Sequence, residues 1–129
     1  MKKTNLLFVI SSFSLVLFCS PAFAEQCTDG VHALLSWTNV IKGNANQWVD
    51  RAKSLGFKVN HSPKDNTVLV FPPNYGHGIN STYGHVAVLR DTDKKKGFLI
   101  QDSNGIAGGD RKTKWIQSID FGKVHIIHR

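Results

Sequence analysis

The apolar pattern of this chain changes period once, near Phe57. Before that point the apolar residues recur every three or four positions. Val31, Leu34, Leu35 and Thr38 form one such set, and Ala45, Trp48, Val49, Ala52 and Leu55 form a second. After it come short β-branched runs separated by turn residues: 67–71, 84–90, 98–102, 114–116 and 123–127. A stripe of period 3.6 packs as a helix, and an alternating run packs as a strand. Helices first and strands afterwards point to an α+β fold, with N-terminal helices packed on one side of an antiparallel sheet.

The punctuation agrees with this division. A helix is expected over 28–37, with Thr28 or Asp29 as its cap. A second is expected over 44–55, capped by Asn44 and stopped by Gly56, with Phe57 packing back on its last turn. Ordinary core packing accounts for the stripe around Trp48, although Trp48 and the neighbouring Gly43-Asn44-Ala45 are also candidates for ligand contact. Pro72 and Pro73 end the first strand. Residues 74–83, with Gly76 and Gly78, read as a loop. Residues 91–96 read as a charged turn joining 84–90 and 98–102 into a hairpin. Residues 104–110 read as a glycine-rich loop.

The first 24 residues should be set apart from the fold. Lys2 and Lys3, the apolar stretch Leu6–Phe18 and Ala22-Phe23-Ala24 form a signal-peptide pattern, with cleavage expected after Ala24. The apolar stretch of 13 residues is short for a membrane span. Residues 25–129 then form one domain, with no stable membrane insertion after cleavage, and the exported protein is expected in the periplasm or outside the cell. Without Lys2 and Lys3 the domain keeps 14 basic residues against 9 acidic ones. That balance suits a polyanionic surrounding such as a cell wall. Cys19 leaves with the leader, so Cys27 has no partner within the domain. An unpaired thiol in an exported protein is reactive, linked to another chain, or buried as a small hydrophobe. Polar neighbours Gln26, Thr28 and Asp29 argue against the last.

Cys27 at the start of a helix would feel the positive end of the helix dipole, which favours a thiolate. His85 shares a strand face with Ala87 and Leu89. Asp102 and Asn104 lie two apart at the end of the partner strand, so both project beside His85 if the strand continues. A carboxylate or amide oxygen on one ring nitrogen would fix the tautomer and turn the other toward the thiol. Cys27 would then attack a carbonyl, and His85 would protonate the leaving amine. Residues 102–105 are equally compatible with a plain turn. The loop residues Tyr75, His77 and Tyr83 are candidates for the rim of a substrate pocket.

These residues resemble the cysteine, histidine-dependent amidohydrolase/peptidase family, the CHAP domains. The likeness rests on Cys27-Thr28 opening a helix, Gly43-Asn44-Ala45 with Trp48 and Ala52, the run 67–71, Gly84-His85-Val86-Ala87-Val88, and Asp102-Ser103-Asn104. It implies a papain-like fold, no cofactor, and hydrolysis of amide bonds in peptidoglycan by an endopeptidase or an N-acetylmuramoyl-L-alanine amidase. By position, Cys27 matches the nucleophile and His85 the base, with Asp102 or Asn104 orienting the base. Lys64-Asp65-Asn66 replaces the Gly-Asp turn often seen in the family. Neither an acidic loop near Cys27 nor a metal-type histidine spacing is present, so no metal is expected. Peptidoglycan is the expected partner and nucleic acid is not; the domain is expected to be a monomer, and an inhibitor or immunity protein stays open. The competing expectation is a non-catalytic wall-binding or inhibitory module, with Trp37, Trp48 and Trp115 stacking on sugars. A membrane-active protein ranks last, because neither helix has a strongly cationic face.

Overall fold

A computed structural model describes residues 25–129; the leader and its cleavage site lie outside the described residues. Helix α1 spans Cys27–Leu34 and α2 spans Trp48–Ser54. Six strands follow: β1 Lys58–Asn60, β2 Thr67–Phe71, β3 His85–Asp93, β4 Gly97–Asp102, β5 Lys112–Ile116 and β6 His125–His128. They form one antiparallel sheet in the order β1-β6-β2-β3-β4-β5. Among the described residues no helix is long and apolar enough to cross a membrane.

Both expected helices are shorter than their apolar patterns. At Leu35 the backbone turns extended, and a 3₁₀ helix Ser36–Val40 follows. Buried Thr38 holds that break by donating its hydroxyl to Leu35 O at 2.7 Å, the local competition that makes threonine a poor helix interior residue. Neither Thr28 nor Asp29 caps α1. Gln26 stands at the cap without a side-chain bond, and Cys27 is the first helical residue. The second segment opens as a 3₁₀ turn, Ala45–Gln47, where Asn44 N–H donates to Gln47 Oε1 at 2.9 Å. Gly56 ends α2 with φ +91°, as its lack of a Cβ permits. Leu55, expected in the buried stripe, is instead 52 % exposed, because α2 stops one residue earlier.

The sheet is covered on both faces. Toward the helices, Val68, Val70, Val86, Val88 and Ile127 pack on Val31, Ile41, Trp48 and Ala52. On the other face, Leu69, Phe71, Ala87, Leu89, Ile100 and Ile126 pack under Ile79, Ile106, Ile119 and Val124 from connecting segments. This explains why every residue of β2 is buried. Strand β1 was not legible in the sequence: three residues have too little alternation to stand out, and pairing with β6 is what makes them a strand. Strand β3 runs three residues beyond the expected Arg90, through a bulge between Leu89 and Asp91. The extra residue re-aims Arg90, whose Nε donates to Gln101 Oε1 at 2.7 Å.

Candidate active site

The register of β3 and β4 pairs Leu89 with Ile100. Because side chains alternate, His85, Ala87 and Leu89 then share a face with Ile100 and Asp102. His85 is the first residue of β3 and is 3 % exposed; Asp102 is the last of β4 and is fully buried. Their side chains meet, His85 Nε2 donating to Asp102 Oδ2 at 2.7 Å. Ile106 N–H donates to the same oxygen at 2.8 Å, and Ala107 N–H donates to Oδ1 at 3.0 Å. Three donors thus satisfy a carboxylate that would otherwise be costly to bury.

Cys27 lines the same cleft as His85 and lies close enough to act on its charge. Burial alone would lower the His85 pKa. The bond to Asp102, with Cys27 beside the ring, outweighs that and pushes it up to about 9. Cys27 is the first residue of α1. The first intrahelical bond there runs from Gly30 N–H to Gln26 O at 3.0 Å, so the amides of residues 27–29 are not used within the helix.

Asn104 does not stand beside Asp102. The strand ends at Asp102, and Asn104 adopts φ +54° with its N–H bonded to Gly109 O at 2.9 Å. That turn breaks the alternation on which the expectation for Asn104 rested. Its place against the ring is taken by Gly105, which lies so close that a Cβ there would collide with the His85 imidazole. Gly105 was read in the sequence only as loop composition. Its need for glycine is close approach, which appears once the loop is folded over His85.

A cleft of about 400 Å³ opens over these groups. Gln26, Cys27 and Thr28 line one side, Asn44 and Ala45 another, and Gly78, Ile79, Asn80 and Tyr83 the rim; His85, Asn104 and Gly105 complete it. Of the four expected pocket residues, Tyr83 lies in the cleft and is 47 % exposed. The other three do not line it. Trp48 is fully buried, its Nε1–H donating to Gly43 O at 3.1 Å. Tyr75 packs edge-on against Phe71 and accepts Asp120 N–H at 2.8 Å, while His77 stacks on Tyr75. Aromatic type marked these positions in the sequence, but in Trp48 and Tyr75 that apolar surface is spent on the fold. Asn80, missed in the sequence, shapes the rim by accepting the N–H groups of Thr82 and Tyr83 at 2.8 and 2.7 Å. Among the described residues no three or more His, Cys, Asp or Glu side chains converge as a metal-ligand group.

A buried imidazole held by a carboxylate beside a thiol at a helix start brings together the groups that nucleophilic thiol chemistry uses. The CHAP domain family model matches residues 19–104, and the chain belongs to that family. The staphylococcal secretory antigen SsaA of Staphylococcus aureus is 28 % identical over 87 residues, covering 67 % of this chain and 31 % of that protein. An N-acetylmuramoyl-L-alanine amidase domain-containing protein of the same species is 32 % identical over 62 residues, covering 48 % of this chain and 10 % of its own. The crystal structure of an N-acetylmuramoyl-L-alanine amidase from Staphylococcus aureus superposes with a TM-score of 0.65 at 26 % identity, over 80 % of this chain and 30 % of that one. The chain therefore spans about a third or less of each of these relatives.

Proposed function

We propose that this domain is an exported, thiol-dependent hydrolase of peptidoglycan amide bonds, built on a papain-like arrangement of helix and sheet. The observation that carries the reading is that Cys27 and His85 line one cleft while fully buried Asp102 holds the imidazole from behind. Cys27 reacts as the thiolate, the nucleophilic form of cysteine, and the raised His85 pKa of about 9 supplies an imidazolium beside it at neutral pH. Cys27 Sγ attacks the carbonyl carbon. Its oxyanion is received by the N–H groups at the start of α1 that the helix itself does not use, the Cys27 amide among them. The C–N bond breaks as His85 gives its proton to the leaving amine, leaving a thioester on Cys27. Water then attacks that thioester, His85 takes the water's proton, and the carboxylic acid leaves with the thiolate restored. Asp102 holds the ring in one tautomer throughout.

The names of the relatives favour muropeptide amides as the substrate class. Tyr83, Asn80 and Asn44 are the groups we assign to substrate contact, since they line the cleft. Of the three tryptophans of the wall-binding alternative, Trp48 is fully buried and Trp37 packs on the core against Phe57, which leaves it half-buried Trp115, under Lys96 on β5. The test is release of muropeptides from purified sacculi by the exported protein and by Cys27→Ala. Release by the former alone, with product masses naming the bond, is expected. Equal release by both would remove Cys27 from the chemistry, and none by either, across several wall chemistries under reducing conditions, would return the weight to a binding module.

A further inference from the structure

Glu25 lies two residues before Cys27, and Ser103 directly follows Asp102. These residues, 78 positions apart, meet: Ser103 Oγ donates to Glu25 Oε1 at 2.6 Å. Ser103 is fully buried and also accepts Arg111 N–H at 2.8 Å. The same Glu25 oxygen accepts Arg111 Nε at 3.2 Å, and Glu25 N–H donates to Asp110 Oδ1 at 3.3 Å. From α1, Gly30 presses on Ser103 so tightly that a Cβ would collide with its side chain.

Neither side of this junction is held by regular structure. Glu25 and Gln26 precede α1, and Ser103 to Arg111 lies between β4 and β5. Yet one side leads into Cys27, and the other carries the turn that puts Asp102 and Gly105 around His85. A buried hydroxyl needs its acceptor, and a carboxylate makes the stronger one. Surface charge pairs alone are weak, so the partly buried Ser103–Glu25 bond is the main element and Arg111 the support.

We propose that Glu25, Ser103 and Arg111 form a positioning clamp that fixes the Cys27 end of α1 against the turn bearing Asp102 and Gly105. As a statement about catalysis it rests on the hydrolase reading above. The clamp touches no reacting atom; it sets the distance between thiol and imidazole, where an error of about 1 Å can cost on the order of 100-fold in rate.

The experiment compares wild type, Glu25→Ala, Glu25→Gln, Ser103→Ala and the Glu25→Ala/Ser103→Ala double variant, each purified as exported and checked by intact mass to begin at the same residue. Glu25→Ala is expected to lower kcat about 10-fold or more with KM within about twofold, because positioning rather than binding is lost. Glu25→Gln keeps an acceptor for Ser103 and should recover most of that loss. The double variant should be no slower than the worse single variant, as coupled partners require. Hydrogen exchange supplies a readout without substrate: in Glu25→Ala the amides of 26–30 and 104–107 should lose protection together, and Glu25→Gln should keep both. Unchanged kcat in Glu25→Ala beside an active wild type, or exchange that rises only next to the substituted residue, would overturn the clamp. If wild type releases no muropeptide while the two segments still loosen together, the clamp stands and the hydrolase reading falls.

Discussion

The two faces of the sheet are built by different means. Toward α1 and α2, β3 offers Val86 and Val88, apolar side chains that meet an apolar helix stripe and do nothing but pack. On the other face the same strand offers Ala87 and Leu89 to a core roofed by connecting segments, and at its end it offers His85 to Asp102. The helix-covered face is uniform, so any residue of the right size serves. The loop-covered face changes from apolar to polar within three residues, and there individual hydrogen bonds decide the geometry. Truncation should therefore cost stability within the helix-covered core, and rate at the polar end of the other face, where Cys27 of α1 joins His85 at the cleft.

The sharpest test of that contrast pairs Cys27→Ala with Ile127→Ala. The first should lower muropeptide release at least about 10,000-fold, as loss of a nucleophile does, while thermal unfolding is nearly unmoved. The second empties a fully buried site on the helix face and should cost about 2–5 kcal/mol in urea unfolding, with activity per folded molecule unchanged within about twofold. Activity lost in step with stability in both variants would erase the distinction.

Asp102→Asn comes next. It should lower kcat on the order of 1,000-fold, since the ring loses the acceptor that fixes its tautomer. It also has a pH signature. The His85 pKa is raised, so the stabilisation from its proton is full below the ordinary value near 6.5 and is lost as pH rises through about 9. Urea midpoints taken from pH 6 to 10 should show that alkaline decline in wild type and a flatter profile in Asp102→Asn.

Gly105→Ala should follow with about a 100-fold loss of rate, because the new methyl displaces the imidazole by a fraction of its width. Its melting temperature should fall less than that of Ile127→Ala. Rate and stability falling in the opposite proportion would make Gly105 a packing residue.

The smallest effect is expected on the helix side, on β6. The His125 pKa is lowered by burial, then by His61 and Lys53 nearby, and its ring lies tilted against His61 at 4.5 Å between centroids. A depressed histidine has the opposite sign to His85: the unfolded chain takes up the proton first, so stability present above about 6.5 declines as pH falls below it. His125→Gln should soften the acid decline of unfolding midpoints between pH 7 and 5 without touching the alkaline one. A change in both limbs would mean that the two histidines are coupled across β2.

The residues that could be read in advance are those governed by periodicity and by chemical type. The alternation in 84–90 places His85, Ala87 and Leu89 together whatever the rest of the chain does, and Asp102 falls on the same face through the hairpin. Four of the six strands stood out as apolar runs bounded by turn residues, with their ends off by a few positions. A fifth, at 114–116, emerged only in part, and β1 not at all, because pairing defines them more than their own side chains do. Aromatic type misled at Trp48, since the same ring that can stack on a ligand is also the largest available filler for a core.

What remained hidden shares one cause: it depends on distances between segments far apart in the chain. Local pattern extends over a few residues, and there it dictates helix, strand, and the face each side chain takes. No local pattern says that Asn104 turns away into a left-handed conformation, that Gly105 lies on the imidazole, or that Glu25 reaches Ser103 across 78 positions. Those contacts arise when the sheet and α1 pack and leave one arrangement in which the buried hydroxyl and carboxylate find their partners. The amino-acid order is enough to assign the chemistry to a thiol, an imidazole and a carboxylate; packing selects the neighbours that hold them at working distance.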